Sequence, residues 1–197
     1  GRRLNEVLTM KHHLHTAHAL CGTPLGDLLL AATPQGLCGA WFTEGQKDGP
    51  AWAEWEAPEP GHPALAGAMR QLDAYFAGRR VHFDVPLDLS SGTPFQQTVW
   101  RALLAIEAGQ SQSYRQVAER IGRPAAVRAV GTAVGANPLS IFVPCHRVLG
   151  SRGALTGYAG GLARKAALLR LEGWTIDTPA SGGAPAATLR PQPPGRA

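Results

Sequence analysis

Two short amphipathic segments joined by a Gly122-Arg123-Pro124 turn limit what this chain can fold into. The first starts near Ser113 and turns Val117 and Ile121 inward; the second runs from about Ala125 to Gly135. Glycine admits the left-handed backbone that a tight reversal needs, and proline cannot continue the preceding helix. Two helices joined this way form a helix-turn-helix candidate, whose second helix is the one offered to nucleic acid. Soon after comes Val143-Pro144-Cys145-His146-Arg147-Val148, a thiol beside an imidazole and a guanidinium. Cysteine attacks as its thiolate, and positive neighbours lower its pKa toward that form. The sequence thus predicts an activated thiol beside a nucleic-acid reader.

The flanking segments complete two units. Thr93-Pro94 opens a helix, with Thr93 as N-cap and Pro94 at the first position; Phe95, Val99, Leu103 and Ile106 form its apolar stripe. A Gly-rich loop covers 150–161, and a last helix spans about 162–172. Toward the N-terminus, residues 24–43 read as a β-hairpin around Thr33-Pro34-Gln35-Gly36. Residues 44–62 read as a loop, Leu65, Met69, Leu72, Tyr75 and Phe76 as a helix closed by Gly78, and Val81–Leu89 as a strand. The predicted fold is α/β: an N-terminal α/β domain with an antiparallel sheet over 13–89, a linker at 90–92, and a helical C-terminal domain over 93–175. Residues 1–12 are expected to be a flexible leader, and the Pro-, Ala- and Gly-rich stretch 176–197 a disordered tail.

Charge is divided unevenly. Residues 1–92 hold seven Lys/Arg against ten Asp/Glu, whereas 93–175 hold ten against three. This asymmetry suits a polyanionic partner for the second unit, with a solvated basic surface as the plain alternative. No apolar run is long enough to span a bilayer, so no membrane partner is expected, and no secretory segment is evident. Three widely spaced cysteines, Cys21, Cys38 and Cys145, argue against a disulfide framework and for a reducing cytoplasm. Cys21 and Cys38 read as packing residues. His12, His13, His15 and His18 lack the spacing of a metal site.

Several side chains near Cys145 suit chemistry, each with a plainer reading beside it. A free cysteine is usually a small buried hydrophobe. In an extended chain His146 would point away from the sulfur and act on it through a water. A carboxylate behind the imidazole would complete a relay. Glu172 is the best placed of Glu107, Glu119 and Glu172, although a helix-end glutamate is ordinarily solvated. Ala125, Ala126, Ala129, Gly131, Ala133, Gly135 and Ala136 leave the second helix of the pair nearly bare, which suits close approach to DNA or tight internal packing. Arg128 rises from that surface. Tyr114 and Tyr158 are aromatic hydroxyls able to stack on a base and bond its edge, or simply to pack.

Taken together, Gly92-Thr93-Pro94-Phe95-Gln96 with Val99-Trp100, Ser113-Tyr114, Arg128-Ala129-Val130-Gly131, Asn137-Pro138, Pro144-Cys145-His146-Arg147-Val148, Gly157-Tyr158, Gly160-Gly161-Leu162, Lys165 and Glu172-Gly173 resemble the O6-alkylguanine-DNA alkyltransferase family. The likeness is dense over about 93–173 and weaker before it. The resemblance implies an N-terminal ribonuclease-H-like α/β domain and a C-terminal winged-helix-like domain. It implies that Cys145 takes the alkyl group from guanine O6 irreversibly, with O4-alkylthymine a possible second substrate. By the same resemblance His146 and Glu172 generate the thiolate through a water. Tyr114 assists nucleotide rotation and protonation of the leaving guanine, Arg128 replaces the flipped base, and Asn137 braces the turn. Ala126, Ala129 and Gly131 belong to the DNA-facing helix, and Cys145, Val148, Tyr158 and Ala159 line the base pocket. The implied partner is double-stranded DNA, bound through the minor groove by a monomer with little sequence preference and no cofactor.

One departure bears on metal content. Some members bind zinc through N-terminal cysteines and histidines; here Thr33 stands where one such cysteine is expected, so no zinc is predicted. Non-enzymatic relatives carry tryptophan in place of the cysteine, and Cys145 argues against that class. Two other readings stay open on residues alone: a helix-turn-helix regulator with a structural cysteine, and a Cys–His hydrolase.

Overall fold

The computed structural model describes residues 17–52, 55, 57–79, 82–177 and 185–189. The predicted hairpin is present as β2 (Leu28–Thr33) and β3 (Gly36–Phe42), paired antiparallel. Its tight end depends on Gly36, whose φ is 151° and where a Cβ would collide with the Pro86 carbonyl. A strand absent from the sequence expectations, β1 (Ala17–Cys21), pairs with β2 on the other side, giving the order β1-β2-β3. Helix α1 (Pro63–Phe76) packs over this sheet, burying Leu65, Ala68, Leu72 and Tyr75.

Over the described residues 82–89 the expected strand does not form. Among its described residues only Leu87 makes a ladder contact, a single parallel bridge to Leu37. Pro86 has no N–H to donate, so a continuous ladder is interrupted there; the Leu37 amide donates instead to the Pro86 carbonyl at 2.8 Å.

The second unit begins with α2 (Pro94–Leu104), which carries the predicted cap. Thr93 accepts from the Gln96 amide and the Gln96 side chain returns to Thr93, a complete capping box. Val99, Leu103 and Ile106 are fully buried. A two-residue strand β4 (Gln112–Ser113) leads into α3 (Tyr114–Arg120), capped the same way by Ser113 and Gln116. Gly122, at φ 70°, reverses the chain into α4 (Val127–Gly135), which starts two residues later than expected and buries Val130, Ala133 and Val134. The Trp100 indole donates to the Ala133 carbonyl at 2.8 Å and fixes α2 against α4. Then follow β5 (Val148–Leu149), parallel to β4, and α5 (Leu162–Leu171).

Past α5 the expectation of a disordered tail needs correction. β6 (Trp174–Asp177) and β7 (Ala186–Leu189) form an antiparallel ribbon, and the Leu155 amide donates to the Pro185 carbonyl. Ala187 is buried beside Leu149, Leu155 and Leu169. Small residues made this strand look like linker in composition, but they let the backbone approach the 150–155 loop closely. Residues 178–184 and 190–197, like the 1–12 leader, lie outside the described residues.

The two units are joined at an edge. The free side of β3 receives the segment after Asn137: the Ala40 amide donates to the Pro138 carbonyl at 2.8 Å and the Ser140 amide to the Ala40 carbonyl at 3.1 Å. This parallel bridge holds the approach to Cys145 on the N-terminal sheet.

Candidate active site

Cys145–Arg147 form one turn of 3-10 helix, not the extended chain expected from the sequence. The turn is packed from every side, with Cys145 7%, His146 0% and Arg147 6% exposed. Just before it, Ile141 sits in the left-handed region at φ 74° although it is β-branched and buried. Such conformations are costly and persist where surrounding contacts over-determine them.

Asn137 holds the turn in shape. Its side-chain amide donates to the Val143 carbonyl at 2.9 Å and its oxygen accepts from the Leu139 amide at 2.9 Å. The same amide also donates to Cys145 Sγ at 3.2 Å, a direct contact with the candidate nucleophile that the sequence reading lacked.

The charges are arranged differently from the sequence expectation. The Arg147 guanidinium does not serve the thiol. It grips Glu172 through Nε at 2.9 Å and Nη2 at 2.8 Å, and reaches the Ile106 carbonyl through Nη1. His146 Nε2 lies 2.8 Å from Glu172 Oε1. Burial keeps His146 below its usual pKa despite that carboxylate, so it is neutral near pH 7. For Glu172 burial opposes ionisation, but His146 and Arg147 outweigh it and hold the carboxyl at about 2. The cation that bears on Cys145 is Lys165, wholly buried, with Nζ donating to the carbonyls of Val148 at 2.6 Å, Thr156 at 3.0 Å and Gly157 at 3.3 Å. Burial lowers Lys165 to about 8. Burial likewise pushes the Cys145 thiol up, and the Asn137 hydrogen bond and the Lys165 charge pull it back only in part. Burial thus favours the thiol form, where the sequence reading had the positive neighbours His146 and Arg147 draw Cys145 toward the thiolate.

The tautomer of His146 follows from its partner. A carboxylate only accepts, so Nε2 carries the proton facing Glu172 and Nδ1 keeps its lone pair. Nδ1 is buried without a hydrogen-bond partner.

Sγ opens into a cavity of about 220 Å³ lined by Tyr114, Gly131, Val134, Gly135, Gly157, Tyr158, Ala159 and, from the N-terminal unit, Lys47 and Asp48. That is below the roughly 300–1,000 Å³ of drug-sized pockets and leaves room for one small group. Of the expected pocket residues, Tyr158 and Ala159 line it. Val148 stands outside the lining, with its amide on the Cys145 carbonyl and its own carbonyl on Lys165. The Tyr114 hydroxyl donates to the Thr156 carbonyl at 3.1 Å, and burial raises its pKa, keeping it protonated. On α4, Arg128 and Ala129 are exposed, Gly131 reaches the cavity rim and Ala126 is the half-buried N-cap.

Thr33 donates to Asp88 Oδ2 at 2.5 Å. Among the described residues no three His, Cys, Asp or Glu side chains converge as a metal site. His18 is buried and packs edge-on against Trp55; His12, His13 and His15 lie outside the described residues. Cys21 and Cys38 are buried, and burial pushes their thiols up to about 11 and about 12, as suits packing residues.

Both units match family models. Residues 17–89 match the 6-O-methylguanine DNA methyltransferase, ribonuclease-like domain, and residues 94–174 match the 6-O-methylguanine DNA methyltransferase, DNA binding domain. The chain belongs to this family. It is 52% identical over 150 residues to methylated-DNA–protein-cysteine methyltransferase of Mycobacterium tuberculosis (strain ATCC 25618 / H37Rv), covering 76% of this chain and 88% of the relative. The constitutive Bacillus subtilis (strain 168) protein of the same name is 46% identical over 156 residues, covering 76% and 91%. Among solved structures, Mycobacterium tuberculosis OGT in complex with DNA superimposes with a TM-score of 0.71 at 49% identity, over 81% of this chain and 93% of that one. The two-domain α/β architecture is thus that of the family. The bonds of Arg147 and Tyr75 to Glu172 escaped the sequence reading, which set Arg147 beside the thiol and Tyr75 in a helical stripe. Their partner is distant in the chain, and neither has a spacing signal that would have found it.

Proposed function

We propose that this protein repairs O6-alkylguanine in double-stranded DNA by moving the alkyl group, once, onto Cys145. The observation that carries this reading is the buried set Glu172–His146–Cys145, opening into a base-sized cavity directly behind α4. The neutral imidazole accepts the thiol proton at Nδ1 through one intervening water, and Glu172 stabilises the imidazolium that results. The thiolate attacks the alkyl carbon, a C–S bond forms, the C–O6 bond breaks and its electrons return to guanine. Tyr114, protonated and bordering the cavity, donates toward the leaving base. The thioether has no good leaving group, so the protein is consumed.

The pocket lies behind a helix, so a stacked base cannot reach it and must be extruded, which costs a few kcal/mol. Arg128, exposed on α4, fills the gap in the stack. The small residues Ala126, Ala129 and Gly131 let α4 approach a minor groove only about 6 Å wide. Phosphate contacts from the basic second unit supply affinity with little sequence preference. We place the protein in the reducing cytoplasm as a monomer, with Cys145, Tyr158, Ala159 and the Val148 backbone framing the base and no metal in the reaction.

Incubation with a duplex carrying radiolabelled O6-methylguanine is expected to leave one equivalent of label on the peptide containing Cys145, with guanine restored in the DNA. Label on another residue, or turnover beyond one equivalent, would overturn the reading. A second expectation concerns Arg128→Ala, which should repair duplex DNA several-fold more slowly yet react with free O6-methylguanine near the parent rate. Equal losses on both substrates would remove Arg128 from the extrusion step.

A further inference from the structure

Glu172 is gripped by a residue of the other unit. The Tyr75 hydroxyl, on α1, donates to Glu172 Oε1 at 2.8 Å across 97 positions of sequence. Tyr75 is 1% exposed, and its ring packs against Phe76 and Phe83. Oε1 therefore meets three groups at once: the Tyr75 hydroxyl, His146 Nε2 and Arg147 Nη2. The oxygen that bonds the catalytic imidazole is thus shared with the N-terminal domain.

We propose that Tyr75 is a positioning residue for alkyl transfer, through which the N-terminal domain sets the basicity of His146. This rests on the relay proposed above. A carboxylate oxygen divides its charge among its donors, and a hydrogen bond to the charged form stabilises it. Without the Tyr75 hydroxyl, more of the Oε1 charge falls on His146, which favours the imidazolium. The groups that act on this balance are few. Glu172, Arg147 and Lys165 bear on His146; Glu172, Arg147 and Tyr158 bear on Tyr75. The aromatic neighbours of Tyr75 carry no charge. A hydroxyl needing a partner in the core would explain one bond to any acceptor; its placement on the imidazole-bonded oxygen is what links it to the rate.

The second-order rate of alkyl transfer, followed against pH in the full chain, tests this. Tyr75→Phe keeps the ring and its packing and removes only the oxygen. The acidic limb of its profile is expected to move up by about half to one pH unit, slowing transfer about 3- to 10-fold on that limb. Phe76→Leu, which loosens the same packing with the hydroxyl intact, is expected to lower Tm without moving the limb. In a Glu172→Gln background Tyr75→Phe should add no shift. A Tyr75→Phe profile that superimposes on the parent, drops uniformly at every pH or moves down overturns the inference, as does an equal shift in Phe76→Leu. If Glu172→Gln itself transfers at the parent rate, the relay fails and the inference with it. If Glu172→Gln is slow and only the Tyr75 shift is missing, the relay stands and the inference alone falls.

Discussion

Cys145→Ser is expected to bind O6-methylguanine duplex DNA like the parent and to transfer no alkyl group, with a rate loss of at least about 10³-fold, as when other nucleophiles are removed. The substitution exchanges sulfur for oxygen on the same stem. Asn137, which donates to Sγ at 3.2 Å, can donate to a hydroxyl in that place, and the 3-10 turn is held by backbone bonds that the change does not touch. The difference is chemical. A buried neutral imidazole removes a proton from a thiol far more easily than from an alcohol, and the alkoxide is the poorer nucleophile toward an alkyl carbon. DNA affinity rests on the basic surface and α4, so a gel-shift titration should not separate the two proteins. Measurable label on the serine protein would place the acceptor elsewhere.

Glu172→Leu is expected to be the most damaging single change to the fold. It leaves the Arg147 guanidinium, the His146 Nε2 proton and the Tyr75 hydroxyl buried around an apolar side chain. Breaking a buried pair by removing one partner costs about 3–5 kcal/mol. At roughly 2–4 °C per kcal/mol for a chain of this size, Tm should fall by about 6–20 °C. The acid response should change with it. The parent carboxyl sits at about 2 when folded, against an ordinary 4.5, so its contribution is complete above pH 4.5 and is lost as pH falls toward 2. His146, depressed by burial, adds a loss of the same sign below its ordinary 6.5. In Glu172→Leu the parent's steep decline between pH 4.5 and 2 should flatten. Thermal melts across that range decide it: an unchanged Tm, or an acid decline as steep as the parent's, contradicts the role given to Glu172.

What was legible in the sequence was local. The Thr93-Pro94 cap, the two helices about Gly122 and the 28–42 hairpin all follow from residues within a turn of one another. The Cys145 motif and the candidacy of Glu172 also showed, the latter through family resemblance. What failed was set by distant neighbours. His146 and Arg147 sit beside Cys145 in the chain, yet Arg147 spends its charge on Glu172, 25 positions on, and the cation that serves the thiol is Lys165. Tyr75 read as an ordinary member of a helical stripe, because an inward-facing aromatic spacing says nothing about where a hydroxyl ends. The alternation over Val81–Leu89 suggested a strand, but Pro86 has no N–H to give and only a single bridge to Leu37 forms there. The 186–189 strand was hidden by small residues that signal linker and close approach alike.

The seam between β3 and the segment after Asn137 has a consequence for synthesis. Ala40 finds its partners in Pro138 and Ser140, about 100 residues later in the chain. At about 5–20 residues per second, roughly 5–20 s pass between the emergence of the two. Through that interval Leu37 on the outer edge of β3 can already bond Pro86 and Asp88, but the Ala40 stretch stands unpaired, the kind of surface that recruits other chains. The backbone bridge that later steadies the turn at Cys145 is thus, during synthesis, also a cover for the first domain's sheet edge.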